Sequence, residues 1–332
     1  MRHGESVVPG ARDVVSVGLL ARVYPAAEVD RAIAACGRSE QRSRLLPARL
    51  VLYFVLGLAL FSPDPYLEVM RKMTFGLRQV GLMGAWREPA KSSIFLARRR
   101  LSWEPFRELF ARSVVPLAEP SDTWAFWRGL RLMAVDGTCV DIADTPANDE
   151  TFGRHGGRPK PGKRPYKRAA FPQARIVGLV ECGTHIIVDA AITEYSTHET
   201  TAAKDLARSM GPEMLVLADR GYPGVDLWRV WSASGAQSAA LYTERWEIET
   251  TFKELKAQQI GAGEVLASKT PDGVHQQLWG HLLVHYALRV HMLEAARANS
   301  KNLDPDRLSF MTCLRVARRI TMMPPAAFPP SA

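Results

Sequence analysis

The hydrophobic pattern of the chain changes period near residue 120. From about Val17 to Leu117 it reads as helices separated at Pro25, Pro47, Pro63, Pro65 and Pro89. The uncharged run from Leu50 to Pro63 is shorter than the roughly 20 residues a membrane span needs, and it predicts a buried helix. Glu119-Pro-Ser-Asp122 is the candidate linker. Beyond it, Arg131 to Asp141, Ala174 to Val180 and Thr184 to Ile192 are short β-rich runs whose order predicts a meander. A helix over His198 to Met210, a strand over Met214 to Ala218 and a helix over Val225 to Ser234 follow. Long helices over Pro271 to Ala298 and Asp304 to Ile320 precede a Pro-rich tail from Met323. The expected organisation is a helical unit (1–118), a linker (119–125), an α/β core (126–268) and a C-terminal helical region (269–332).

Towards the end of the core lies the stretch from Tyr242 to Lys256. At about 100° per residue, a helix here places Tyr242, Arg245, Glu249, Lys253 and Lys256 in one narrow arc. Ile248, Phe252 and Leu255 fill a neighbouring arc that can bury, while Glu247 and Glu254 point away from the basic stripe. A carboxylate ringed by cations and a phenol suits a metal-held phosphate, although a solvated face with i,i+4 pairs such as Glu249 with Lys253 has the same composition. Two earlier segments change that balance. Leu132-Met-Ala-Val-Asp136-Gly-Thr138 and Met214-Leu-Val-Leu-Ala-Asp219-Arg220-Gly221-Tyr222 are apolar runs that each end in an Asp followed by a Gly-containing turn.

With these residues the chain resembles the DDE transposases of bacterial insertion sequences, in the insertion sequence 4 type branch. That branch is marked by Tyr, two residues, Arg, three residues, Glu, six residues and Lys, the spacing of Tyr242, Arg245, Glu249 and Lys256. Val135-Asp136-Gly-Thr138, Asp144-Thr-Pro-Ala-Asn148, Phe171-Pro-Gln-Ala-Arg175 and Asp219-Arg-Gly-Tyr222 look like the family too, so the likeness runs from about Leu20 to Ile320. It implies an RNase H-like catalytic core, whose order of three strands, helix, strand, helix and closing acidic helix this chain follows. That fold brings the ends of its first and fourth strands together, making Asp136 and Asp219 neighbours.

The implied chemistry is two-metal phosphodiester transfer. Asp136, Asp219 and Glu249 would offer hard oxygen ligands to two Mg²⁺ ions, with Mn²⁺ as a substitute, for in-line attack by water or a DNA 3′-hydroxyl. Tyr242 and Arg245 would hold a phosphate near the cleaved transposon end, and Lys256 would add charge. Lys253 shares that face, and Arg220 is a further candidate contact or a core-edge ion pair. The expected partners are double-stranded DNA, as terminal inverted repeats and target, and a second copy of the chain in a synaptic dimer.

Composition agrees. A chain of 332 residues, 47% of them hydrophobic, can bury a large core, and a formal charge of +9 favours a polyanion. No acid lies between Thr151 and Val180, where Arg154, Arg158, Lys160, Lys163, Arg164, Lys167, Arg168 and Arg175 fall. Such a run can neutralise backbone phosphates, with Arg164, Lys167 and Arg168 the best candidates, or form a solvated loop. Arg98, Arg99 and Arg100 ahead of Phe106 to Phe110 suit a helix-turn-helix contact or a solvated face equally. Cys36, Cys139, Cys182 and Cys313 are too scattered for a zinc knuckle. With no signal-peptide pattern and no membrane span, a bacterial cytoplasm, in association with the nucleoid, is the expected compartment. His281 and His285 have metal-ligand spacing but sit among Trp279, Leu282, Leu283 and Tyr286, which predicts packing. Asp144 is expected to start a turn, and Glu181 to be a turn residue.

The chain departs from the family pattern in one respect. Members usually carry a β-rich insertion between the second Asp and the Glu, and here only Arg220 to Ile248 intervenes. An internal deletion near Gln237 is expected to have removed the insertion and the core's fifth strand; the alternative is a compact variant with a short strand over Gln237 to Leu241. A chain so shortened could act as a transposase, as a metal-dependent nuclease, or as a DNA-binding remnant without catalysis.

Overall fold

The structure, a computed structural model, describes residues 18–40, 42, 44–79, 87–156, 168–219, 222, 224–240, 245–299 and 303–323. The first third is helical as its period predicts: α1 (Gly18–Val23), α2 (Ala26–Ala35), α3 (Ala48–Leu60), α4 (Tyr66–Gln79), α5 (Lys91–Leu101) and α6 (Glu104–Ser113). The uncharged run is α3, buried from Leu50 to Leu60.

The sheet begins with β1 (Phe126–Trp127) and the long β2 (Leu130–Asp141). The helix α7 (Pro146–Phe152) starts where the Asp144 turn is expected, although the side chain that caps it is Thr145. Then come β3 (Gln173–Glu181), β4 (Ile186–Glu194), α8 (Glu199–Lys204), β5 (Met214–Ala218), α9 (Val225–Ala233) and β6 (Gln237–Ala240). Spatial order is β4-β3-β2-β5-β6, with β2, β3 and β4 antiparallel and β5 and β6 parallel to β2. This is the ribonuclease H-like arrangement. The fifth strand is present as β6, correcting the expectation that it was lost. Gln-Ser-Ala-Ala has weak strand propensity, but β5 offers an open parallel edge that pairs Leu215 with Gln237 through to Ala218 with Ala240.

After β6 come α10 (Arg245–Lys253), α11 (Pro271–Asn299) and α12 (Phe310–Met322). α11 is apolar on nearly every side, as a helix buried all round must be. It packs against α3 and α6 on one side and β4 on the other, so the helical layer and the sheet share one core. Its approach to α3 is close: a Cβ on Gly280 would stand 3.2 Å from Val55 Cγ1.

Candidate active site

Strand register brings the two aspartates together. Val135 pairs with Ala218 in the parallel β2–β5 ladder, so Asp136 and Asp219 occupy the next position on neighbouring strands and, by alternation, the same face. Asp136 Oδ1 accepts the Gly137 N–H at 2.8 Å. Gly178 stands opposite Asp136 on β3, and a Cβ there would lie 3.4 Å from Phe252 Cζ. α10 therefore covers the face that bears both aspartates, and Glu249 lies one turn before Phe252, exposed. Ile248, Phe252 and Leu255 are buried as the arc predicts, and Lys253 is exposed.

The signature helix changes form at Glu254, where the α-helical turn gives way to a π-helix over Glu254–Gly261. Lys256 lies inside that segment and is rotated from the place an uninterrupted α-helix would give it. It is half-buried, within electrostatic reach of Cys139, and lines a cleft of about 370 Å³ with Cys139, Asp141 and Gln173. Tyr242, Arg220, Arg164 and Lys167 lie outside the described residues, and Arg245 opens α10.

Several expected DNA contacts are taken by protein groups. Arg154 is buried between Asp144 and Asp149 at 2.6 Å each, and Arg168 pairs with Asp149. Arg175 pairs with Glu199. Of the three arginines on α5, Arg98 is buried and donates to Gln276 and Tyr66, while Arg100 donates to Glu40 and the Leu46 carbonyl. Arg99 and Arg100 are exposed and Arg98 is not, so the three do not share one solvent-facing surface. The reason is shared: sequence position marks a cation, but not the acid or carbonyl that folding brings beside it. Glu181 ends β3 at the turn, as expected, but its side chain has a structural task as well. It is fully buried, paired with Arg131 and accepting the Leu117 and Ala118 N–H groups, which ties the linker region to the sheet.

On the other face of the sheet lies an acid the sequence did not mark. Glu199, first in α8, sits against Gly137: a Cβ there would fall 2.7 Å from its carboxyl carbon. Glu199 accepts from Arg175 and, at 3.4 Å, from the Tyr222 hydroxyl. Burial and the charges of Glu199, Asp136 and Asp219 push the Tyr222 phenol far above its ordinary value, so it is a neutral donor.

Comparison with known proteins agrees with this layout. Residues 14–111 match the sequence profile of the insertion element 4 transposase N-terminal region. Residues 127–238 and 230–287 match the transposase DDE domain in two segments. The chain belongs to the insertion sequence 4 type of DDE transposases. Among its relatives in Escherichia coli K12, the transposase InsG of insertion sequence element IS4 is 25% identical, across 91% of this chain and 82% of InsG. The putative transposase InsZ is 24% identical over 77% of this chain and 78% of its own length. Among solved structures, the piggyBac synaptic complex with hairpin DNA has a TM-score of 0.41 at 8% identity, covering 95% of this chain and 82% of that one. The pre-cleavage Mos1 transpososome has 0.33 at 9%, covering 84% and 80%. Those two likenesses are weak, and the fold assignment stands on strand order and the family match.

This transposase is thus an insertion-sequence enzyme of the polynucleotidyl transferase class, acting on DNA, and its family generally uses divalent metal. No helix among the described residues is long and apolar enough to cross a membrane. The donor set fits hard divalent ions, being three carboxylates grouped on one side of the sheet. They are not drawn to single-ion distance. Among the described residues, the one trio with donor atoms all within 4.8 Å of one another is His185, Glu247 and Asp306.

That trio belongs to a buried ionic network. Arg289 donates to both oxygens of Glu254 at 2.6 Å and to His185 Nδ1. His185 Nδ1 must then be an acceptor, so the ring proton is on Nε2, facing Glu247 at 2.9 Å and Asp306 at 3.3 Å. A metal at that nitrogen would displace the proton and turn Nδ1–H into Arg289, so the network holds the fold together. Burial alone would raise Glu247 and Glu254, but their partners outweigh it: His185, the Gly183 N–H and Arg289 hold Glu247 below its ordinary value, and His285 and Arg289 do so for Glu254. Burial pushes Asp306 up to about 6 and His281 down to about 3. His281 and His285 are fully buried, His281 against Gln259 and His285 stacked on Phe310, as the packing expectation has it.

Proposed function

We propose that Asp136, Asp219 and Glu249 are the catalytic acids and that this chain cuts DNA at the ends of its insertion sequence and joins the 3′-hydroxyl to target DNA. The observation that carries this is the β2–β5 register, which sets the two aspartates side by side beneath the helix bearing Glu249. When bound, two Mg²⁺ ions supply an activated oxygen nucleophile and charge for the leaving oxygen. The three carboxylates hold those ions. Lys253 at the end of α10 and Lys256 just beyond it neutralise backbone phosphate; Tyr242, Arg245 and Arg220 grip the transposon end, and Arg164 and Lys167 add charge along the flanking duplex, with Arg168 joining them only if it leaves Asp149. The substrates are the terminal inverted repeats and the target duplex, and the working unit is a synaptic dimer.

A second reading, a DNA-binding remnant without catalysis, has its own support. The DDE-domain match is broken at 230–238, and the alignment to InsG runs over 378 positions while taking in 91% of a 332-residue chain. The relative therefore carries several tens of residues absent here, in keeping with a lost insertion before Glu249. Incubation of supercoiled plasmid carrying the element's own ends with Mg²⁺ or Mn²⁺ separates the two. We expect nicking and strand transfer that Glu249→Gln abolishes. Nicking without joining would leave a nuclease, and binding without nicking would leave the remnant.

A further inference from the structure

The cluster behind the two aspartates has no part in the three-acid chemistry, yet it adjoins it. Glu199 lies against the backbone one residue after Asp136. One of its oxygens takes Arg175, and the other takes the Tyr222 hydroxyl. The Tyr222 N–H in turn closes on the Asp219 carbonyl at 3.1 Å. One carboxylate thus touches β2 beside the first aspartate, the turn after the second, and a largely buried guanidinium.

Arg175 pairs across the sheet with Cys139, three residues along β2 from Asp136. At about 3.4 Å per residue its strand position is roughly 10 Å away. It also donates to the Tyr195 carbonyl at 3.2 Å and lies over the Tyr195 ring, so it is fixed in place. A fixed positive charge within about 10 Å, with an effective dielectric near 20, lowers the affinity of a divalent cation held by Asp136 and Asp219 by on the order of a hundredfold unscreened, and by about tenfold when salt near 0.1 M screens it. Glu199 cancels it.

We infer that Glu199 is a positioning residue of the active centre: it neutralises Arg175 and holds Tyr222, so that Arg175 does not oppose a divalent cation at Asp136 and Asp219. This rests on the proposed function, because it takes those aspartates as metal ligands. It makes the centre one of four acids, three that face the metal and one that guards their charge.

The test reads metal binding apart from turnover. Mn²⁺ is titrated into the full-length chain and followed by electron paramagnetic resonance, with DNA binding by anisotropy and thermal melting as controls. Glu199 is partly exposed at the start of α8, so Glu199→Gln should fold. We expect it to bind Mn²⁺ about tenfold more weakly, with DNA affinity changed less than twofold. Glu199→Asp, which keeps the charge, should stay within threefold of the parent. The double variant Glu199→Gln with Arg175→Met should regain most of the lost affinity, a recovery that a merely structural role would not give. Parent-like Mn²⁺ binding in Glu199→Gln, or no recovery in the double variant, overturns the inference. Asp136→Asn separates the two ideas: if it leaves Mn²⁺ binding intact, or the parent binds none, the three-acid reading fails and takes this one with it. Binding lost in Asp136→Asn but untouched in Glu199→Gln removes the role of Glu199 alone.

Discussion

Two groups of charged residues flank the signature helix, and they are built on opposite plans. On its inner side, Glu247 and Glu254 are held by His185, Arg289 and the Gly183 N–H, largely out of solvent. On the sheet-facing side, Asp136, Asp219 and the exposed Glu249 gather negative charge where a solvated cation can arrive. Buried acids given matched donors act as fixtures. Acids set side by side on neighbouring strands repel one another, and a cation between them is favoured. The helix that presents Glu249 is thereby anchored by its neighbours in sequence.

The comparison breaks most readily at Arg289. Arg289→Met leaves Glu254 buried without its bidentate partner, and we expect a loss of about 3–5 kcal/mol in urea unfolding. A change under about 1 kcal/mol would mean the network is no fixture. It sharpens next along the pH axis. Glu254, depressed when folded, contributes stability that is present above its ordinary value of 4.5 and lost as the pH falls through its lower folded value. Asp306 has the opposite sign. Raised to about 6 from 3.8, it contributes stability present below 3.8 and lost as the pH rises through about 6. Melting temperatures from pH 4 to 8 should therefore show Asp306→Asn gaining on the parent as the pH passes 6. An offset that does not vary with pH would count against this assignment.

The smallest effects lie on the phosphate-facing side. Lys253→Ala and Lys256→Ala should each lower the slope of log affinity against log salt for DNA by roughly one, without altering the melting temperature. A slope unchanged in both would remove this helix face from the DNA path.

Much of the layout was legible in the sequence. Met214 to Ala218 is a strand with the bounds its apolar run predicts, and the helices beginning at Val225 and Pro271 start where expected. Asp136, Asp219 and Glu249 were marked by strand-end position and by the spacing to Lys256. Less was legible where partners come from far away. Arg154, Arg175 and Arg98 look alike as cations, yet each is claimed by a group that only folding supplies. β6 was only the alternative to a lost strand, because its residues have little preference of their own and pair through the edge that β5 leaves open.

By itself, then, the sequence determined most of the elements and marked three acids as candidates, since periodicity and spacing are local and survive without a fold. Tertiary structure decided which charges are locked into buried pairs. The worth of an ion pair depends on distance and burial, and neither exists until His185 on a hairpin turn, Glu247 and Glu254 on one helix, and Arg289 on another have met.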